Sequence, residues 1–379
     1  MVMPCLNEAD TVGACVEKAM RALREGEIAG EVIVADNGST DGSQDIAQQL
    51  GARVVAVRAR GYGSALAGGI AAARGRFILM ADADDSYDFL EIPKFLAKLR
   101  EGHSLVQGCR LPSGGGTVRP GAMPFLHRHW GNPMFSMMSR VMFKAPIHDV
   151  YCGMRAFTKE LYNRLDLRCT GMEFATEMII KSSLYGEDIA ETPITLYPDG
   201  RKAHAPHLKT FHDGWRTLRF FLMYSPRWLF LFPGSLVFLL CFIGCAVALP
   251  GLKFHGITFG AHTLLVCTLG LQLGYQAIWF AIAAKVFAIR EHLVPEDPRF
   301  DSFFRLATLE RGLLAGGLSF LGGVGLIAWM AWRWAASGWG PLDYPSTMRV
   351  IIPGFALAAL GFQTVLSSFF VSILGMRRR

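Results

Sequence analysis

Three aspartates that follow a short apolar run are the residues of this chain best suited to chemistry. The run Phe77–Met80 is followed by Asp82, Asp84 and Asp85. Such runs are typical of buried strands in α/β sheets, and open α/β sheets bind ligands at the carboxyl ends of their strands. Asp82 and Asp84 are two residues apart, so a strand end that bends into a turn can aim both at one hard cation. Oxygen ligands of this kind suit Mg²⁺ or Mn²⁺, whereas a solvated acidic turn is the alternative.

The segments around these aspartates predict alternating strands and helices. The predicted strands are Val2–Pro4, Glu31–Ala35, Arg53–Val57, Phe77–Met80 and Ser104–Gly108, and the predicted helices are Thr11–Arg24, Ser43–Leu50 and Ser64–Arg74. Alternation of this kind favours right-handed βαβ units and a mostly parallel sheet with helices on both faces. Because the first strand begins at residue 2, a native start upstream of Met1 is left open.

Polar or glycine-rich loops follow the first three predicted strands. They are Pro4–Glu8 (PCLNE), Asp36–Gly42 (DNGSTDG) and Arg60–Ser64 (RGYGS). The third loop opens a helix, and a helix N-terminus suits an anion. A plain tight turn explains that glycine-rich run equally well.

The composition changes beyond Tyr224, where four long apolar stretches dominate. They are Leu229–Leu249, His262–Ile289, Leu313–Trp332 and Val350–Leu374. Each reaches the roughly 20 residues that a helix needs to cross a bilayer, and buried helices of a large soluble protein are the alternative. We therefore predict a catalytic domain over residues 1–207, a juxtamembrane segment over 208–228 and a four-helix transmembrane domain over 229–379.

The distribution of basic residues predicts the orientation in the membrane. Lys and Arg concentrate in segments 201–227, 290–311 and 377–379, while the loops 250–261 and 335–349 carry one basic residue each. The positive-inside rule therefore places the N-terminal domain and the C-terminus in the cytoplasm. Eight scattered cysteines without a C-x-x-C pair fit a reducing compartment with neither disulfides nor zinc.

Taken together, the loops resemble those of family 2 glycosyltransferases of the GT-A fold. The order P-x-L-N-E, D-N-G-S-T-D-G, R-G-Y-G and D-A-D matches that family, with each motif at a predicted strand end. The resemblance implies a divalent metal on Asp82 and Asp84. It also implies a nucleotide site formed by Pro4, Leu6, Asn7, Glu8, Asp36, Gly61 and Asp82.

The resemblance extends to the polyprenyl-phosphate glycosyltransferases, which include dolichol-phosphate mannose and glucose synthases. The segments 149–157 (DVYCGMRAF), 171–177 (GMEFATE) and 198–202 (PDGRK) look like motifs of that group. Two positions depart from its pattern. Tyr62 stands where many relatives have Lys, and Asp85 stands where an apolar residue is common.

The resemblance implies transfer of one hexose, with inversion, from a UDP- or GDP-linked sugar to a polyprenyl or dolichyl phosphate; UDP-hexose is favoured on group resemblance alone. Asp149 is expected to orient or deprotonate the acceptor phosphate, or else to pair with Arg155 and fix its loop. The cations expected to hold that phosphate are Arg110, Arg155, Arg201 and Lys202, each with a solvated surface charge as the alternative.

The segment Leu208–Trp228 mixes basic and aromatic residues as interfacial helices on anionic lipid do. Packing against the soluble domain is the alternative. A homo-oligomer is left open, because glycines of the third span, Gly316, Gly317, Gly322, Gly323 and Gly325, permit close helix contact.

Two other functions compete with this interpretation, and no pattern indicates nucleic-acid binding. A processive polysaccharide synthase shares the fold but carries Q-x-x-R-W near the membrane, and here Arg227-Trp228 is preceded by Tyr224 instead of Gln. A membrane transporter or flippase with a nucleotide-sensing domain is the second alternative. The spans lack ionisable residues near their centres, which argues against an ion path.

Overall fold

The computed structural model describes residues 1–201, 210–254 and 257–376. The chain divides into two compact units, Met1–Phe221 and Leu222–Arg379. The domain bounds expected from the sequence stay a prediction.

The first unit is built on a seven-stranded sheet with the order β3-β2-β1-β4-β7-β5-β8. Its strands are β1 (Val2–Cys5), β2 (Ile33–Asp36), β3 (Arg53–Ala56), β4 (Phe77–Met80), β5 (Leu105–Cys109), β7 (Arg155–Thr158) and β8 (Ile189–Pro193). Two short parallel strands, β6 (Thr117–Val118) and β9 (Thr195–Leu196), form a separate sheet. Except for β7, the strands of the large sheet run parallel to their neighbours, which confirms the predicted mostly parallel α/β fold.

Strand β7 is a central strand that the sequence did not predict. It runs antiparallel between β4 and β5, and Arg155 pairs with Met80 on one side and Gln107 on the other. Its sequence, Arg-Ala-Phe-Thr, contains two polar residues and follows a glycine-containing motif, so it has no apolar run like that of β4. This strand decides where the Arg155 side chain lies.

Helices cover both faces of the large sheet. On one face α1 (Val12–Glu25), α2 (Ser43–Gln49) and α4 (Ile92–Arg100) share one hydrophobic cluster with the strands. The remaining helices of this unit are α3 (Tyr62–Ala72), α5 (Asn132–Phe143), α6 (Lys159–Leu165), α7 (Glu173–Leu184) and α8 (Thr210–Tyr224). Helix α7 packs against α3, α5 and α6, so this second group is also continuous.

The second unit holds four helices that are long and apolar enough to cross a membrane. They cover Arg227–Ala248, Ala261–Arg290, Leu309–Ala336 and Tyr344–Gly375, which confirms the four predicted spans. Their regular α-helices are α9 (Phe232–Ala248), α10 (Ala261–Arg290), α12 (Leu309–Ala336) and α13 (Tyr344–Gly375). A short hairpin, β10 (Lys253–Phe254) and β11 (Ile257–Thr258), and helix α11 (Pro298–Leu306) lie between them.

Two glycines of α12 lie where this helix contacts α13. A Cβ on Gly316 would lie 2.8 Å from the carbonyl oxygen of Gly361, and one on Gly323 would lie 2.5 Å from that of Gly354. These glycines therefore let α12 and α13 approach closely. A Cβ on Gly317, Gly322 or Gly325 would meet no described atom within 4 Å, so the oligomeric state stays a prediction.

Candidate active site

The two aspartates expected to hold a metal lie at the edge of the sheet where β1, β2 and β4 end. Val2 pairs with Met80 in parallel register, so the loop after β1 and the Asp82–Asp84 turn leave the sheet at the same edge. The Asp84 carboxylate accepts hydrogen bonds from the backbone N–H (3.1 Å) and hydroxyl (2.6 Å) of Ser86. These bonds fix the direction of the turn that follows β4.

Asp82 is held by two features that sequence reasoning did not assign. The Tyr62 hydroxyl donates to its Oδ1 at 2.9 Å. Its Oδ2 lies against Gly153, where an added Cβ would come within 2.4 Å. Tyr62 therefore gives the departure from the family pattern a structural role, and Gly153 leaves room for the carboxylate.

The protonation of Asp82 reflects its surroundings. Burial and the neighbouring charge of Asp84 raise the pKa of Asp82 to about 6, against the opposing effect of the Tyr62 hydrogen bond. Two carboxylates that repel each other in a partly buried turn are stabilised by a cation. Their oxygen donors match the preference of Mg²⁺ and Mn²⁺. No cluster of three or more His, Cys, Asp or Glu side chains suited to a metal occurs among the described residues, so substrate oxygens would have to complete the coordination.

The loops after β1 and β2 are joined by hydrogen bonds. Backbone N–H groups of Asn7 and Glu8 donate to the hydroxyls of Ser39 and Ser43, both at 2.9 Å. In return, the Asn7 side-chain oxygen accepts from the N–H of Thr40 at 2.9 Å. The predicted nucleotide residues of the two loops therefore form one structure.

Asp36 is buried at the end of β2, with an exposed fraction of 1%. Its carboxylate accepts from the N–H of Gly38 at 3.0 Å and from the Gln44 amide at 2.7 Å. Among the other predicted nucleotide residues, Leu6 is 41% exposed and Pro4 lies within β1. Asn7 has a positive φ of 60°, a conformation that Asn tolerates better than most residues.

The glycine-rich turn before α3 requires its glycines. Gly61 has a φ of +126°, and a Cβ there would lie 2.3 Å from the carbonyl oxygen of Thr170. The Asn37 side chain accepts from the N–H of Gly61 at 2.8 Å and donates to the carbonyls of Val57 and Ala59. The turn is therefore held from β2 on one side and from the 169–171 loop on the other.

A buried ion pair on α7 anchors that same loop. Glu177 and Lys181 are both fully buried, with Nζ and Oε1 3.1 Å apart. Glu177 accepts from the backbone N–H groups of Arg168 and Cys169, and Lys181 donates to the carbonyls of Leu165 and Asp166. The pair lies in the family-like segment 171–177 and its continuation, and it supports the Gly61 turn indirectly.

Arg201 lies among carboxylates of the predicted nucleotide and metal sites. Its guanidinium approaches Glu8 at 2.6 Å, Asp199 at 2.8 Å and Asp84 at 3.4 Å. Burial opposes the charged form, but the hydrogen bond to Glu8 and the charge of Asp84 raise its pKa above the usual value. Arg201 therefore contacts residues that are predicted to bind the nucleotide and the metal. The sequence also predicts that Arg201 binds the acceptor phosphate.

Asp149 and Arg110 form a second buried ion pair. Oδ2 of Asp149 accepts from Nε of Arg110 at 2.7 Å, and Oδ1 accepts from its Nη2 at 2.9 Å. The Arg110 backbone N–H adds a third bond at 3.0 Å. Burial opposes the charge on Arg110, but Asp149 raises its pKa well above the usual value. The expected alternative partner of Asp149, Arg155, is not the one observed.

Arg155 lies inside the sheet and is fully buried. Its guanidinium donates to the backbone carbonyls of Cys152, at 2.7 Å, and Ala175. Its position on the unpredicted strand β7 explains this burial and makes it a poor candidate for binding a phosphate in this conformation. Lys202, the fourth predicted phosphate ligand, lies outside the described residues.

Asp85, the second departure from the family pattern, has a positive φ of 60° and an ion pair with Lys18 at 2.7 Å. Asp tolerates this left-handed conformation, whereas a β-branched apolar residue does not. The backbone conformation of this turn is therefore compatible with Asp at position 85.

Helix α8 packs on α5 and α7 within the first unit. Arg216 donates to both carboxylate oxygens of Glu173, at 2.6 and 3.0 Å. The Phe221 ring is buried against Phe135 and Phe143. For these residues the alternative expected from the sequence, packing against the soluble domain, is what the structure shows.

Comparison with known proteins then decides the family. The family 2 glycosyl transferase model matches residues 1–166, and the family 2 C-terminal transmembrane region matches residues 282–375. The low-salt glycan biosynthesis hexosyltransferase Agl6 of Haloferax volcanii is 36% identical across 99% of this chain and 88% of its own length. The chain belongs to glycosyltransferase family 2. It is therefore a glycosyltransferase with a GT-A fold and an integral membrane protein, as the sequence predicted.

Further relatives of this family 2 enzyme match a little over half of the chain. The dolichyl-phosphate hexose transferase of Haloferax volcanii is 33% identical over 56% of this chain and 88% of its own length. Among solved structures, glucosyl-3-phosphoglycerate synthase from Mycobacterium tuberculosis is 22% identical over 58% of this chain and 77% of that chain, with a TM-score of 0.47. That structural likeness is too distant to carry an argument about ligands.

Proposed function

We propose that this glycosyltransferase moves one hexose from a UDP- or GDP-linked sugar to a polyprenyl or dolichyl phosphate. One observation carries the proposal. Asp82 and Asp84 lie at the same sheet edge as the loops Pro4–Glu8 and Asp36–Gly42, which are joined by hydrogen bonds. A membrane-spanning half and the dolichyl-phosphate hexose transferase relative support a lipid-linked acceptor.

In this proposal the first two loops and the Gly61 turn bind the nucleotide. A Mg²⁺ or Mn²⁺ ion held by Asp82 and Asp84 would supply neutralisation of the charge that develops on the leaving nucleoside diphosphate. Tyr62 keeps Asp82 oriented. The ion pair between Glu8 and Arg201 lies beside Asp84. Direct displacement at the anomeric carbon inverts its configuration.

The proposed nucleophile is a phosphate oxygen of the lipid. A phosphomonoester has a second pKa of about 6, so it is largely dianionic near neutral pH and needs no strong base. Asp149, whose two oxygens are already engaged by Arg110, is better placed to orient that arginine than to remove a proton. Arg110, 8% exposed, and Arg201 are then the described cations that remain candidates for holding the acceptor phosphate.

The proposal places the catalytic unit and the C-terminus on the cytoplasmic side, on the basis of the Lys and Arg distribution. It also favours one sugar per acceptor over a processive glycan synthase. The missing Gln of Q-x-x-R-W before Arg227-Trp228 supports this choice.

The test is transfer by the purified full-length protein in detergent or nanodiscs. Polyprenyl phosphate is supplied with radiolabelled UDP- and GDP-hexoses in turn, each with Mg²⁺ and with Mn²⁺. We expect label to enter the lipid phase with one nucleotide class and to depend on lipid phosphate. Label that enters the lipid phase equally with dephosphorylated polyprenol would contradict the proposed acceptor.

A further inference from the structure

Three polar side chains form a row across neighbouring strands of the large sheet. Arg155 of β7 pairs with Gln107 of β5, and Gln107 pairs in turn with Glu191 of β8. Directly paired residues project to the same face of a sheet, so these side chains lie side by side. Arg155 and Gln107 are fully buried, and the Glu191 side chain is 12% exposed. We call these three residues the polar row; they face residues 148–153, which we call the Asp149 loop.

The polar row holds the backbone of the Asp149 loop through hydrogen bonds. Oε1 of Glu191 accepts from the N–H groups of His148, at 2.7 Å, and Asp149, at 3.1 Å. The Gln107 amide donates to the carbonyls of Asp149, at 2.9 Å, and Cys152, at 3.1 Å. Because buried backbone groups need a partner, these bonds fix the position of the loop.

Two further features hold this loop close to the sheet. Arg155 donates to the same Cys152 carbonyl at 2.7 Å and to that of Ala175. Burial lowers the pKa of Arg155, and these carbonyl oxygens are partners for its charge. A Cβ on Gly108 would lie 2.6 Å from the carbonyl oxygen of Met154, so only glycine allows the chain to approach β5 this closely.

The Asp149 loop contacts the candidate site at both of its ends. At one end, the Asp149 carboxylate accepts three hydrogen bonds from Arg110, a candidate for holding the acceptor phosphate. At the other end, Gly153 lies against Oδ2 of Asp82, and its N–H donates to the Tyr87 hydroxyl at 2.9 Å. One loop therefore contacts both the acceptor cation and the proposed metal ligand.

We propose that Glu191 and Gln107 are positioning residues for the transfer reaction. Glu191 acts through Asp149 on Arg110 and so sets where the acceptor phosphate is held. Gln107 bonds near both ends of the loop, and therefore acts on Asp82 as well. The part that concerns the acceptor rests on the proposed function, whereas the part that concerns Asp82 needs only the metal site. Such remote contacts matter because a misplacement of about 1 Å can cost about a hundredfold in rate.

The first test separates a positioning role of Glu191 from a stabilising one. Glu191→Ala removes the acceptor of two backbone N–H groups, whereas Glu191→Gln keeps a carbonyl oxygen that can accept from them. We expect Glu191→Ala to raise the apparent KM for lipid phosphate by on the order of tenfold to a hundredfold, with the KM for the nucleotide sugar unchanged. Glu191→Gln should restore the parent KM.

Glu187→Ala is the matched control. The Glu187 side chain is also 12% exposed, but its carboxylate pairs with Arg164, at 2.7 Å, instead of with the Asp149 loop. Both alanine variants should lower the thermal unfolding temperature, and only Glu191→Ala should change the lipid KM. A lower unfolding temperature of Glu191→Ala with the parent KM would show a purely structural role and overturn the proposal. A parent protein that transfers no hexose to lipid phosphate would contradict the proposed function instead.

The second test needs neither sugar nor lipid acceptor, so it decides the role of the loop even in that case. Gln107→Met keeps the length of the side chain and removes both donors. We expect Mn²⁺, titrated with UDP or GDP present and followed by EPR of the free ion, to bind this variant about tenfold more weakly. Gln107→Asn, which is one methylene shorter, is the milder second variant and should weaken binding in the same direction. Glu187→Ala should bind Mn²⁺ like the parent. Parent affinity in both Gln107 variants would overturn the link between the loop and Asp82.

Discussion

Asp84 is one of the two aspartates after β4 that are proposed to hold the metal, and Asn in its place removes a ligand suited to a hard cation. We expect Asp84→Asn to lose turnover by two or more orders of magnitude while the fold survives. Initial rates and the thermal unfolding temperature, measured together, check this. Asp45→Asn, exposed on α2, is the control. Full activity of Asp84→Asn, or of the parent in excess chelator, would contradict it.

The Tyr62 hydroxyl should matter for metal binding because it orients Asp82. Partners that orient a metal ligand typically contribute 10- to 100-fold to metal affinity or activity. Tyr62→Phe keeps the ring and removes the 2.9 Å hydrogen bond. We expect Mn²⁺, titrated with nucleoside diphosphate present and followed by EPR of the free ion, to bind about tenfold more weakly. Tyr162→Phe, stacked on Phe157, should bind Mn²⁺ like the parent.

The raised pKa of Asp82 gives metal binding a pH dependence. Its value of about 6 means that the carboxyl is protonated below that pH, and a cation must displace the proton. The apparent dissociation constant for Mn²⁺ should therefore rise about tenfold per pH unit below 6 and level off above it. A titration series from pH 5 to 8 checks this, and a flat profile would show that Asp82 is not a ligand.

At the scale of elements, the Glu177–Lys181 pair on α7 should be important for stability. Removing one partner of a buried ion pair typically costs about 3–5 kcal/mol, because it leaves the other charge uncompensated. Glu177→Gln should therefore lower the unfolding temperature clearly. Arg21→Gln, in the exposed Arg21–Glu25 pair, should change it little, since exposed pairs contribute about 0–1 kcal/mol. Equal effects of the two substitutions would reject this.

The elements also show what the sequence reveals and what it does not. Strands β1 to β4 are short runs that alternate with helical segments and end in polar, acidic or glycine-rich loops, and these features identify them. Strand β7 has four residues and reverses direction between β4 and β5, so its pairing is set by contacts far away in the chain. The burial of Arg155 on this strand could therefore not be predicted from the sequence. The partner of Asp149 escaped prediction for the same reason, since Arg110 lies 39 positions away.

The candidate site also has a part that the sequence predicts and a part that it does not. The positions of Asp82, Asp84 and the loops after β1 and β2 were predictable, because carboxyl ends of parallel strands meet at one edge. The contacts of Tyr62 and Gly153 with Asp82 were not, since they join segments from three parts of the chain. The departure of Tyr62 from the family pattern was the one signal in the sequence that pointed to it.

At the scale of the whole molecule, the spans were predictable because their length and apolar content are set by the bilayer. The predicted topology places the loop 335–349 across the membrane from the catalytic unit. A cysteine at Ser346 should react with an impermeant thiol reagent in intact cells, and one at Ser302 should react only after lysis, with native-cysteine labelling subtracted. Both residues are exposed. The reverse pattern would overturn the orientation.

The central claim is transfer of a single hexose to a lipid phosphate, and mass spectrometry of the lipid product tests it most directly. The full-length enzyme is incubated with polyprenyl phosphate of defined length and the nucleotide sugar it accepts, beside Asp84→Asn. We predict one new species, heavier than the acceptor by one hexose, that accumulates over many turnovers and is absent with Asp84→Asn. A ladder of lengthening glycans, or a hexose found on water instead of lipid phosphate, would contradict the account.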